Sequence, residues 1–327
     1  MKLNLFIPTF LLASIFSNSQ NIETDFIIQK GKVIYDFSFA ELAIKYLECG
    51  DSTYLNKIAN LPATEHLLNH AIAFKNNIPH NSGLDFVISL LTPFDDKKKI
   101  LHVFKSNLRY AKTKIAEIDL PQKTCLKFLP TDFHYSSNLF FTFGYDIGVV
   151  FGNNASLNLA HPHYVEHQNE IKYYSIHELH HAGFVTLKNN AMPSLDINKY
   201  KEMTDLIAYF THLEGMGTYV PLTLRKKEGA MENDKDYIAI QDTGLMRSYE
   251  SAFFEIYFHF KNNPNKILNN EDWDKLSVLS DDKRLWYRVG AKMAQTIDER
   301  LGREKLVKLI SEPSTNFINT YLLLKED

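Results

Sequence analysis

Residues 175–183 read Ser-Ile-His-Glu-Leu-His-His-Ala-Gly and contain the spacing His177-Glu178-x-x-His181. On a helix, positions four apart lie one turn apart on one face, so the two imidazoles converge on a single point while Glu178 is displaced by one step. Two neutral nitrogen donors and an adjacent carboxylate are the parts that zinc-assisted hydrolysis requires. The nitrogens hold the ion, and the carboxylate takes a proton from the attacking water. His177 and His181 are therefore read as metal ligands, Glu178 as the general base and Zn2+ as the cofactor. The plain alternative is an idle polar helix, but burying His and Glu without a partner is costly. His180, between them, fits either a substrate-facing role or simple packing.

A catalytic zinc site takes three protein ligands and leaves its fourth position to water. The metzincin arrangement, with another His soon after His181, is excluded, because residues 182–187 read Ala-Gly-Phe-Val-Thr-Leu. Farther on, Met203, Leu206, Ile207, Phe210, Leu213, Glu214 and Gly217 outline an amphipathic helix. Glu214 lies at the edge of its apolar stripe, where a carboxylate calls for a compensating cation. Glu214 is the leading third ligand, with His212, Asp205 and Glu250 as alternatives and a buried ion pair as its non-catalytic reading. Gly215 and Gly217 are poor helix formers, and beside Glu214 they imply close approach to another helix or to the metal.

The stripe Ile171, Tyr174, His177 or Glu178, His181 and Val185 puts the ligands on the buried side of their helix. Ahead of it, from 125 to 159, short β-prone runs (Leu126 and Phe128, then 139–143 and 147–151) predict a small sheet with hairpins, one turning at Gly152-Asn153-Asn154. Residues 20–120 read as a helical N-terminal region. Ser38 and Glu41 have capping-box spacing, and helical periods follow over 39–47, 67–74, 86–91 and 100–115. After about 168 the helical period continues to the end, broken at Pro193, Pro221, Asn263-Pro264 and Pro313. The expected fold is α+β and predominantly helical, divided as 1–19, 20–120 and 121–327. Residues 20–120 could flank the cleft or act as an inhibitory prosegment.

The remaining composition mainly excludes. The chain has 327 residues, 45% hydrophobic, with 23 Phe and 17 Tyr, which is ample core material and argues against disorder. A net charge of -3 gives no basic footprint, so nucleic acid is not an expected partner. Lys2, the apolar run 5–16 and Ser17-Asn18-Ser19 have the form of a secretory signal peptide, too short to span a bilayer, which predicts a secreted or periplasmic protein with no integral membrane segment after its removal. Cys49 and Cys125 could form one disulfide or both stay free.

His-Glu-Leu-His-His-Ala-Gly-Phe at 177–184, Glu-Gly-Met-Gly-Thr-Tyr at 214–219, and a distal block from Tyr287 through Gly290, Met293, Ala294, Gly302, Leu306, Pro313, Phe317 and Tyr321 resemble bacterial secreted proteins described as zinc-dependent peptidases of gluzincin type. The resemblance covers about residues 35–325. It implies a zincin-like core in which His177, His181 and Glu214 bind zinc and Glu178 is the base, and a substrate aligned along an edge strand, for which 155–159 is expected. Thr218 stands four after Glu214, where thermolysin-like enzymes carry a supporting Asp, so substrate preference does not transfer from thermolysin. Tyr287, opening the distal block, is the expected oxyanion donor, with Tyr249 and Tyr219 as rivals. The expected activity is hydrolysis of peptide bonds in a peptide or protein substrate. The competing functions are a secreted zinc-containing binding or structural protein, and a metallohydrolase of a non-peptide amide.

Overall fold

The computed structural model describes residues 26–74, 82–92, 97–131, 133, 136–189 and 192–326. The leader expected at 1–19 lies outside them. The described chain opens with two short strands, β1 (Ile27–Lys30) and β2 (Val33–Asp36), joined in an antiparallel hairpin whose turn is made by Gly31 at φ +57 and Lys32. Glycine supplies the positive φ that a two-residue hairpin turn needs. The N-terminal region expected to be helical thus opens with a strand hairpin before its helices begin at Ser38.

β2 pairs in parallel with β3 (Ser137–Thr142), and β3 in parallel with β5 (Asn154–Asn158). β4 (Gly148–Phe151) closes the far edge antiparallel to β5, so the order is β1-β2-β3-β5-β4. The β4–β5 hairpin turns at Gly152, φ +61, where the sequence places it. That turn throws β4 outward and leaves β5 paired on both sides. The stretch 155–159, expected to be the docking edge, is therefore interior, and β4 is the edge. Residues 126–128 form a 3-10 turn rather than a strand.

Helices α1 (Ser38–Cys49), α2 (Thr53–Ala59), α3 (Pro62–Ala73), α4 (Gly83–Leu91), α5 (Lys97–Tyr110) and α6 (Leu120–Cys125) connect β2 to β3. α1 begins at the expected place, but Ser38 is inside its first turn. Phe37 is the N-cap and makes no side-chain cap; Asp36, one residue earlier, accepts at its Oδ1 from the Ser38 N–H at 2.8 Å. After β5 come α7 (Pro162–Glu166), α8 (Glu170–Leu187), α9 (Tyr200–Tyr219), α10 (Leu222–Glu228), α11 (Lys235–Gln241), α12 (Thr243–Lys261), α13 (Asn270–Ser277), α14 (Leu285–Leu301), α15 (Arg303–Ile310) and α16 (Ser314–Glu326). The prolines named above fall at or beside the breaks between these helices.

Residues opposite one another on paired strands share a face, so Phe141, Leu157 and Gly148 look to one side of the sheet and Phe140 and Val149 to the other. α8 covers the first face, its Glu178 lying against Gly148. α3 covers the second, where the His66 ring meets Phe140 at 5.4 Å. On its other side α8 packs on α9, which packs in turn on α12, α14 and α16. One hydrophobic core runs from Val33 on β2 to Leu324 on α16. Among the described residues no helix is long and apolar enough to cross a membrane.

Candidate metal centre

α8 is buried along most of its circumference, with Ile171, Ile176, Leu179 and Ala182 all in the core. Cys125 donates its Sγ–H to the Ile176 carbonyl at 3.1 Å, and both cysteines are free, Cys49 being exposed. A helix so enclosed holds its polar residues at fixed positions. His177 and His181, one turn apart, present their Nε2 atoms to a single oxygen, Oε2 of Glu214 on α9, at 3.3 and 3.0 Å. Donor atoms about 3.3 Å apart are what a tetrahedral shell with bonds of about 2.0–2.1 Å requires. The three residues thus offer two nitrogens and one carboxylate oxygen at a spacing that fits zinc.

Two glycines on α9 make the arrangement possible. A Cβ on Gly217 would fall 2.4 Å from Cε1 of His181 and 3.0 Å from Nε2 of His177, filling the cradle between the imidazoles. A Cβ on Gly215 would fall 2.4 Å from the Gly290 backbone of α14, and one on Gly290 would fall 2.5 Å from the Thr211 carbonyl. The helices therefore touch backbone to backbone, and this contact seats α9 so that Glu214 reaches α8. Both meanings of the sequence glycines are realised, one at each residue.

Burial, with the neighbouring His181, lowers the pKa of His177 to about 4, so its ring is neutral at neutral pH and its lone pair is available. Burial pushes Glu214 up, but the imidazoles of His181 and His177 outweigh it and hold the carboxyl well below the usual carboxylate range. Glu178 moves the other way. Burial first, then the charges of Glu214 and Asp146, raise it well above an ordinary glutamate. It makes no hydrogen bond among the described residues and rests against β4, where a Cβ on Gly148 would come 2.7 Å from its Oε1.

Tyr287, near the start of α14, lies almost parallel to the His177 ring, at 6.4 Å and 18°. Its hydroxyl bonds to no described residue, and burial, followed by the charge of Glu214, raises its pKa well above that of a free phenol, so it stays protonated. Its rivals stand elsewhere. The Tyr249 hydroxyl accepts from Arg288 at 3.1 Å, and the Tyr219 hydroxyl donates to Asp298 at 2.6 Å.

The alternative ligands also lie apart from the centre. His212 is fully buried and stacks on Phe317 at 4.3 Å; Asp205 is exposed; Glu250 is tied to Tyr321, Lys292 and Lys325. His180 points into the core, its Nε2 3.4 Å from the Phe128 carbonyl, which supports the packing reading. Thr218 is buried, and its carbonyl accepts from the Tyr237 hydroxyl at 2.9 Å.

A second grouping, His163, Glu170 and Asp234, also brings three potential ligand atoms within 4.8 Å of one another. It is better explained as an ion-pair network. The Arg225 guanidinium binds both oxygens of Glu170, lies 3.9 Å from the Tyr237 ring centroid and is almost completely buried, and a cation there would be repelled by it. The sequence reading missed this network, Gly148 and Arg284. Arg284 sits among Asp281, Asp282 and Lys283, a run that looks like a solvated turn, and only the closeness of Tyr287 in sequence hints at more.

No curated protein and no solved structure matches the chain. A family model does, over residues 55–324, and the chain belongs to that family, which is described as "Putative zinc dependent peptidase (DUF5700)".

Proposed function

We propose that this member of the zinc dependent peptidase family hydrolyses peptide bonds with water, using a gluzincin-type centre in which His177, His181 and Glu214 hold Zn2+. The observation that carries the reading is the convergence of three donor atoms on one point beside Glu178, a carboxylate that no described residue occupies. Bound there, zinc would supply Lewis acidity, polarising a carbonyl and lowering the pKa of water towards about 7. Glu178 takes the proton of the attacking water and returns it to the leaving amine. Tyr287 donates its phenolic proton in a hydrogen bond to the developing oxyanion. A substrate segment lies along the free edge of β4, where backbone pairing would place a carbonyl beside Glu178. The leader-like sequence of residues 1–19 favours a secreted or periplasmic setting for the reaction.

The test is chemical. Glu178→Gln is expected to lower kcat by about 100-fold to 10,000-fold with zinc content still near one per chain. Glu214→Ala is expected to lose zinc itself, read by elemental analysis after dialysis. Turnover retained in zinc-loaded Glu178→Gln removes Glu178 from the base role, and full zinc retention in Glu214→Ala removes Glu214 from the ligand set.

A further inference from the structure

Arg284 immediately precedes α14 and adopts a left-handed backbone conformation, φ 48 and ψ 46. Its Nε donates to both oxygens of Asp236, at 3.0 and 2.8 Å, and its Cζ lies 3.7 Å from the centroid of the Tyr287 ring. A carboxylate on one side and an aromatic face on another fix the guanidinium plane, while neither Nη group bonds to any described residue. Tyr287 in turn faces the His177 ring at 6.4 Å. The cation therefore stands at the rim of the metal centre with a two-pronged donor unused.

Its charge is also not cancelled. Asp236 is shared between two guanidiniums, because Arg288 donates its Nε to Oδ1 at 2.8 Å. Two positive charges on one carboxylate leave one in excess. Arg288 spends its Nη1 on Tyr249 and is 7% exposed at its side chain, whereas Arg284 is 20% exposed. The excess therefore sits with Arg284, the more exposed of the two and the one that stacks on Tyr287. A guanidinium with both Nη groups free matches a carboxylate in two parallel hydrogen bonds.

We propose that Arg284 is a specificity-determining residue that binds a carboxylate of the substrate, so that the centre prefers peptides carrying a negative charge close to the bond cleaved. The inference rests on the peptidase reading. The carboxylate comes from one of two sources, the free C-terminus of a short peptide or an acidic side chain, and their chemistry at Arg284 is the same.

The experiment uses two matched pairs of peptides on the zinc-loaded protein. One pair differs only in a C-terminal carboxylate or amide, the other only in an internal Glu or Gln next to the cleaved bond. The expected result is a preference in kcat/KM for the acid in one pair of about 10-fold or more, as for a hydrogen bond to a charged group, falling to near one in Arg284→Gln and recovering in part in Arg284→Lys. Whichever pair shows it identifies the source. No preference in either pair with the unaltered protein, or a preference that survives in Arg284→Gln, overturns the proposal without touching the peptidase reading. If no peptide is cleaved, the peptidase reading fails, and the same peptides are titrated calorimetrically into Glu178→Gln protein. Tighter binding of the acid that depends on Arg284 then supports carboxylate recognition, and equal binding overturns it. Asp236 keeps Arg288 in every variant, and thermal melting checks that the fold survives.

Discussion

Gly217 stands so close to His181 that a single added methyl would come within 2.4 Å of the imidazole Cε1. That distance is far inside van der Waals contact, and the other nearby atoms belong to His177. A methyl can be accommodated only if an imidazole turns away. Gly217→Ala is therefore expected to leave the helical content unchanged, since Ala favours a helix over Gly by about 1 kcal/mol, yet to lower zinc affinity by about 10-fold or more. Competition with a chelator measures it, and wild-type affinity in that variant would show that the cradle is not where the metal binds.

Gly148 plays the corresponding part for Glu178. A Cβ there would meet three atoms of the Glu178 side chain, none farther than 2.8 Å. Gly148→Ala should displace the carboxylate by about 1 Å, and misplacement on that scale costs on the order of 100-fold in rate. Zinc content is expected to stay near one per chain. Single-turnover kinetics with matched zinc loading distinguishes this from a metal-binding defect.

The Arg225–Glu170 pair is closed off from solvent and clamped between the Tyr173 and Tyr237 rings. Removing one partner strands the other charge. Arg225→Met is expected to cost about 3–5 kcal/mol in urea unfolding of the metal-free protein, with the double variant Arg225→Met/Glu170→Gln recovering a large part of it. If the single and double variants are equally destabilised, lost packing rather than the stranded carboxylate is responsible.

His66 gives the fold a pH dependence with a definite sign. Burial, then the neighbouring His70, lowers its pKa from 6.5 to about 4, against a smaller opposing effect of the Val149 backbone. Between those values the unfolded chain takes up a proton that the folded chain refuses. Stability is therefore full above about pH 6.5, falls as the pH drops towards about 4, and is flat with respect to this group below that. The loss amounts to about 2 kcal/mol between about pH 7 and pH 5. His66→Leu should remove that portion of the slope in urea titrations, and an unchanged slope would assign the acid sensitivity to other groups.

The sequence was informative where the chemistry and the period coincide. His177, Glu178 and His181 are spaced by one helical turn, so a helix assignment sufficed to bring them together. Glu214 could be picked out because a carboxylate at the margin of an apolar stripe demands a partner. The weak points were of two kinds. Strands of four residues, such as β1 and β2, carry too few alternations to stand out against the helical segments that follow, although Val33, Ile34 and Tyr35 after Gly31 are the residues a hairpin would use. Strand order is also not encoded locally. β5 and β4 are equally plausible edges until the parallel pairing of β5 with β3 is known. Arg284, Asp236 and Arg225 were hidden for another reason: in sequence a charge that will pair inside the fold looks like a charge on the surface, and its partner is about 50 positions away.

The pairing of β2 with β3 sets Val33 opposite Ser137, over a hundred positions later. Closing a loop of that length precedes any gain from the contacts it creates, and long-range parallel pairing of this kind slows folding. α8 rests on the far strands of the same sheet, so the candidate metal centre cannot be assembled early from a local segment. The chain should remain inert through most of its folding and acquire activity in a late step, together with the sheet rather than ahead of it.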